Sequence, residues 1–191
     1  SVGSKLTFID KEPLGFASEL GIDPSSASGN AHTDLKLRFI LEHSVTFDQV
    51  EIEAKSRLTD VTLSNVLLGR GINQGELDLK VNNKGMTVTG DVTFNDIKAQ
   101  LVWRENFEEN RGYQSRYDLS AVISDVRRLR DLGLEMQPFS DDYLNGPIGA
   151  NIRYTVFDKV DRRLELTADI TDAEMQAPAF GWSKKAGVAG R

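Results

Sequence analysis

Apolar and polar residues alternate with a period of two through most of this 191-residue chain, and no other feature restricts the fold as much. The pattern puts apolar side chains on one face of a strand and polar ones on the other. Leu35, Leu37 and Phe39 alternate with Lys36 and Arg38, and Val50 and Ile52 with Glu51 and Glu53. Leu77, Leu79 and Val81 follow, then Met86, Val88, Val92 and Phe94, then Ile97, Ala99, Leu101 and Trp103. The later runs are Tyr117, Leu119, Ala121 and Ile123; Ile152, Tyr154 and Val156; and Leu164, Leu166, Ala168 and Ile170. Asn82-Asn83-Lys84-Gly85 reads as a type I turn closed by a left-handed Gly85, and Asn95-Asp96 as a two-residue turn. Joints this short enforce antiparallel neighbours. The expected fold is mostly β, a curved antiparallel meander of groove-like or taco-like form, with one or two short helices and about one and a half repeats.

Helix signals are few. Ser124 reads as an N-cap with Asp125 behind it, Gly133 as the stop, and Val126, Leu129 and Leu132 share one face. A second helical turn is expected at Phe16 to Leu20, ended by Gly21. The repeat shows as an ordered series of matches at an offset of 112 residues: Leu20-Gly21-Ile22 with Leu132-Gly133-Leu134, Leu58-Thr59-Asp60 with Ile170-Thr171-Asp172, and Gly69 with Gly181. Gly29 and Gly146 each open a strand between them, at an offset of 117 residues. The organisation read from this is a lead-in over 1–23, a first unit over 24–134 ending in a short helix at 124–133, and a truncated second unit over 135–191. A chain that starts without Met and stops in Ala186-Gly187-Val188-Ala189-Gly190-Arg191 reads as a segment of something longer.

Composition narrows the chemistry. A net charge of −6 argues against nucleic acid as a partner. The absence of cysteine removes thiol catalysis, thiolate metal sites and disulfides. No apolar run approaches the roughly 20 residues of a membrane-spanning helix. His32 and His43 are outside any metal spacing and read as surface histidines. Gly69-Arg70-Gly71-Ile72-Asn73-Gln74-Gly75 is followed by a strand pattern, so it reads as a turn and not as a phosphate cradle, which needs a helix N-terminus. Asp60 and Asp172 recur between the copies, which favours a structural Thr-Asp turn over acid/base or Ca²⁺ chemistry. Ser140-Asp141-Asp142 reads as a solvated acidic loop, Glu105 to Arg111 as a charged, solvated hairpin tip, and Trp182 as a packing anchor under a loop. No catalytic residue, metal site or cofactor follows from these residues, and the chain is not expected to be an enzyme. The apolar sheet face is larger than one short helix covers, so a second sheet, helices or an apolar ligand must bury it.

Several longer stretches carry a family likeness: Pro13-Leu14-Gly15-Phe16 with Leu20-Gly21-Ile22-Asp23-Pro24, Arg57-Leu58-Thr59-Asp60-Val61, Leu68-Gly69-Arg70, Leu101-Val102-Trp103-Arg104-Glu105-Asn106-Phe107, and Ala168-Asp169-Ile170-Thr171-Asp172-Ala173 with Phe180-Gly181-Trp182-Ser183-Lys184-Lys185-Ala186-Gly187. Together they resemble the YhdP branch of the AsmA-like superfamily, which includes TamB and is related to repeating β-groove lipid-transfer proteins. Lys185 stands where relatives commonly have Pro. The resemblance implies a phospholipid-conducting groove in an alphaproteobacterial, Gram-negative cell envelope. The parent protein would be periplasmic, anchored in the inner membrane by parts beyond these residues, and would move phospholipid towards the outer membrane. The groove lining it implies is Leu35, Leu37, Phe39, Val50, Ile52, Leu77, Leu79, Val81, Met86, Val88, Val92, Phe94, Leu101, Trp103, Leu119, Ala121, Ile152, Tyr154, Leu164 and Leu166. Phospholipid acyl chains are the expected partners, with self-association through cut sheet edges as a further expectation. The competing reading is a closed β-sandwich that acts as a structural or partner-binding module of an envelope protein.

Overall fold

The computed structural model describes residues 27–41, 49–67, 70–108, 112–128, 143–158 and 160–190. Eleven strands are present among them: β1 (Ser28–Arg38), β2 (Glu51–Leu67), β3 (Arg70–Asn82), β4 (Gly85–Phe94), β5 (Ile97–Asn106), β6 (Ser115–Ile123), β7 (Leu144–Asn145), β8 (Ile148–Val156), β9 (Arg162–Asp169), β10 (Glu174–Ala177) and β11 (Trp182–Lys184). Eight form one antiparallel sheet in the order β1-β2-β3-β4-β5-β6-β8-β9, and β11-β10-β7 form a second, three-stranded sheet. Among the described residues the large sheet is open: β1 pairs only with β2, and β9 only with β8. The alternation therefore reads out directly as a meander, because each short joint returns the chain beside the strand it has just left.

The joints show what the sequence chemistry does. Asn95 and Asp96 both hold positive φ (48° and 59°), the geometry of a type I′ hairpin turn, and Phe94 faces Ile97 across it. At the β3–β4 turn the side-chain oxygen of Asn82 accepts from the N–H groups of Lys84 (2.8 Å) and Gly85 (3.1 Å). Gly85 is not left-handed. It is glycine for a different reason, since a Cβ there would run into the carbonyl oxygen of Glu105 on β5. Residues 70–75 of the glycine-rich stretch are themselves part of β3, which corrects the turn expectation, and no helix N-terminus is offered there to a phosphate.

Some local geometry recurs between the two expected units. Gly29 has φ +118° and approaches the carbonyls of Thr59 and Asp60, where a Cβ would sit 2.8 Å from each. Gly146 has φ +109° and approaches Asp172 and Ala173 in the same way, with a Cβ 3.2 Å from the Asp172 carbonyl oxygen. Leu63 pairs with Ile72 in the first unit and Met175 with Lys184 in the second, each displaced by the same 112 residues. The Thr-Asp turn expected at both places is present only at Asp172, between β9 and β10, whereas Asp60 (φ 52°) lies inside β2 at a register shift between Leu58 and Val61.

Of the expected helix at 124–133, the described part is a turn that becomes helical at Arg128. Asp125, and not Ser124, caps it: its carboxylate accepts from the Arg127 N–H at 3.0 Å. The Arg127 side chain and backbone hold that carboxyl down to about 2. Val126 is buried as its face predicts. Leu129, Leu132, Gly133, the 16–20 turn, His43 and Ser140-Asp141-Asp142 lie outside the described residues. No helix among the described residues is long and apolar enough to cross a membrane.

Candidate functional site

Register places side chains, because residues directly opposite across an antiparallel ladder share a face. One transverse row on the apolar face runs Leu58, Leu77, Gly90, Leu101, Leu119, Ile152, Leu166. The next runs Ser56, Leu79, Val88, Trp103, Tyr117, Tyr154, Leu164. Leu35, Ala54, Val81 and Met86 head a third, and Leu37 faces Ile52 beyond it. Val92, Phe94 and Ala121 have the same parity along their strands. The expected lining residues within the strands therefore occupy one face. Phe39 follows β1 and Val50 precedes β2, both outside the ladder.

That face is not uniform. Leu77, Val88, Val92, Phe94, Leu101, Trp103 and Leu119 are buried and join Val61, Leu63, Ile72, Ala99 and Tyr117 in one core cluster. Leu79, Val81, Met86, Ala121, Ile152 and Tyr154 are half-buried beside them. The margins differ: Leu35 is 54 % and Leu37 52 % exposed on β1, and Leu164 50 % and Leu166 40 % on β9. Phe39 is also exposed. The centre of the face is filled by its own side chains, and the open apolar surface is at the two edges. A second cluster of Ile97, Ile123, Val126, Leu144, Ile148, Ala150 and Ala173 joins the large sheet to the small one.

An aromatic row crosses the centre, with Trp103 stacked on Tyr117 at 5.2 Å and Tyr117 tilted against Tyr154 at 6.1 Å. Beside it lies Glu105, which is 3 % exposed and overturns the solvated-tip expectation for that residue. Trp103 Nε1 donates to its carboxylate at 3.0 Å and Ser115 Oγ donates at 2.7 Å. Burial pushes the Glu105 carboxyl up, against the lowering pull of those two donors. Burial, then the Glu105 charge, pushes the Tyr117 phenol well above its ordinary value. The signal for Glu105 was its position two residues after Trp103, on the apolar parity of β5.

Glu105 makes stability depend on pH in a fixed direction. The folded chain holds its proton to a higher pH than an unfolded chain does, so this contribution is whole below the ordinary carboxyl value near 4.5. It is lost as pH rises through the raised folded value. Urea unfolding of wild type followed from pH 4 upwards is expected to show that decline. Glu105→Gln, which keeps an acceptor and a donor without charge, flattens the slope and leaves neutral-pH stability equal or higher.

The polar face is threaded by ion pairs: Arg57 with Asp78 (3.0 Å), Arg104 with Asp118 (2.9 Å) and Arg153 with Asp118 (2.6 Å). His32 is on this face and exposed, as its surface reading predicts. Trp182 is half exposed at β11, which corrects the packing-anchor expectation, and Phe180 beside it is exposed. The sealed residue of that segment is Lys184, whose Nζ donates to the carbonyls of Ile170 (2.6 Å), Thr171 (3.1 Å), Ala173 (2.8 Å) and Lys185 (3.3 Å). Among the described residues no group of three or more His, Asp and Glu side chains is placed to hold a metal. Comparison of this chain with protein-family models, with curated proteins and with solved structures finds no match.

Proposed function

We propose that this chain is a lipid-carrying segment of a cell-envelope protein, in which phospholipid acyl chains lie against the apolar face and head groups stay at its wet edge. The setting is the periplasm, between inner and outer membranes. The observation that carries the reading is the one-sided apolar surface, in register across the eight-stranded sheet, whose margins at Leu35, Leu37, Leu164 and Leu166 remain open to solvent. Exposed apolar side chains grouped at each margin, Leu35 with Leu37 and Leu164 with Leu166, support an interaction role for those edges. Moving ten methylenes of an acyl chain into water costs about 8 kcal/mol, at about 0.8 kcal/mol each. Contact with aliphatic side chains along a margin offsets that cost without any bond being made or broken, and the reading assigns no catalytic step.

The packed centre from Val61 to Leu119 supports the alternative of a structural module that holds a protein partner by its margins. Native mass spectrometry of protein purified from cells separates the two. Bound phospholipid is expected, and Leu35→Asp with Leu37→Asp should remove it while circular dichroism stays unchanged, because both positions are already half exposed. Lipid-free wild type, or a double variant that keeps its lipid, overturns the proposal. Substitutions such as Val88→Asp do not serve, since that site is in the core and a charge there unfolds the sheet.

A further inference from the structure

The pairing register assembles on the polar face a row that the linear sequence scatters over more than a hundred residues. Directly opposite one another run Asp34, Lys55, Lys80, Thr87, Arg104, Arg116, Thr155 and Arg163, five basic side chains against one acid in a chain of net charge −6. From Lys55 to Arg163 the row spans roughly 29 Å at the usual 4.8 Å between strands. Two of its directly opposed pairs, Lys55 with Lys80 and Arg104 with Arg116, are like-charged, which destabilises a sheet. Arg104 has Asp118 as counter-ion, but no ion pair holds Lys55, Lys80, Arg116 or Arg163 among the described residues. The Arg116 guanidinium lies over the Tyr113 ring at 4.1 Å and keeps a buried Nε without an acceptor, and Arg163 lies over Phe157 at 5.3 Å. Lys55, Lys80, Arg104 and Tyr113 line a shallow cavity of about 470 Å³.

The row lies within a few residues of one end of the sheet, the end at which β3 turns into β4. At that same end the chain presents bare aliphatic side chains at both outer corners: Ile40 (65 % exposed) and Leu41 (90 %) after β1, and Val160 (91 %) between β8 and β9. Cations alone would suit any polyanion. Cations behind exposed aliphatic tips suit a surface with negative phosphates above an apolar layer. We propose that this end of the sheet docks on an anionic phospholipid bilayer, Leu41 and Val160 entering the head-group boundary and the Lys55–Arg163 row meeting the phosphates.

The proposal stands apart from lipid carriage on the opposite face, and the two fail separately. Co-sedimentation with vesicles tests it. The protein is expected to bind vesicles containing one third phosphatidylglycerol and to ignore pure phosphatidylcholine, despite its net negative charge. Lys55→Ser with Lys80→Ser is expected to weaken binding about thirtyfold, and Leu41→Ser with Val160→Ser about tenfold at unchanged charge. Lys98→Ser with Lys185→Ser, an equal charge loss away from that end, leaves binding as it was. The Lys55/Lys80 variant keeps whatever phospholipid native mass spectrometry finds in wild type. Absence of binding, equal binding to both vesicle types, an indifferent Leu41/Val160 variant, or a control pair as damaging as Lys55/Lys80 would each overturn the proposal.

Discussion

Gly90→Ala is expected to cost about 4 kcal/mol of stability, a large fraction of what a domain of this size possesses. Gly90 is on the apolar row between Leu77 and Leu101, in the middle of the eight-stranded sheet. Its φ of +148° belongs to a region that side chains rarely adopt, and a Cβ would run into the carbonyl oxygen of Glu76 while standing 3.0 Å from the Leu77 Cα. The obstacle is backbone of the neighbouring strand, which no rotamer change relieves. Strain of about 1–3 kcal/mol from the dihedral and a similar amount from overpacking combine there. Urea denaturation checks it, with Gly112→Ala as the comparison. Gly112 also has positive φ, +84°, but nothing lies within 4 Å of its Cβ position, so only the smaller dihedral cost applies. Equal losses at the two sites would show that the close approach at Gly90 is unimportant.

The face on which each side chain sits was legible because a strand has a side-chain period of two and needs no partner to be read. Leu77, Leu101 and Leu119 fall on one row for that reason alone. Asn95-Asp96 was legible because a type I′ turn requires two residues that tolerate positive φ. What stayed hidden depends on pairing between distant segments. Gly85 could be recognised as necessary, but its reason is a carbonyl on β5. Glu105, in a run of charged residues, is held by Ser115 from the next strand. The row from Lys55 to Arg163 exists only once six strand registers are fixed, and no local pattern in any of the strands announces it. Burial is equally non-local: Leu35 and Leu77 have the same alternation, yet one is at an edge and the other in the centre.

Lys184 shows the same point at the opposite end of the molecule, where its replacement carries the second large effect. Its counterpart in the first unit is Ile72, also buried, which is covered as the sheet continues through β4 and β5. In the second unit no further strand of the small sheet follows β11 among the described residues. Four carbonyls gather around the Lys184 ammonium there, while its stem packs against the position of Gly190, where a Cβ would be 2.8 Å from the lysine Cε. Lys184→Met keeps the stem and removes the donors, leaving buried acceptors unmatched at a cost of roughly 3 kcal/mol. Lys184→Arg keeps the charge but presents a planar fork to a cup that encloses a single nitrogen, and is expected to fail nearly as badly. The loss should be local. Hydrogen exchange should accelerate over 170–190, where the Ile170 N–H donates to Gly190 and the Gly187 N–H to Thr171, while β3 to β5 keep their protection. Full rescue by arginine would show that charge alone matters at this site, and uniform acceleration across the large sheet would show that the two sheets unfold as one.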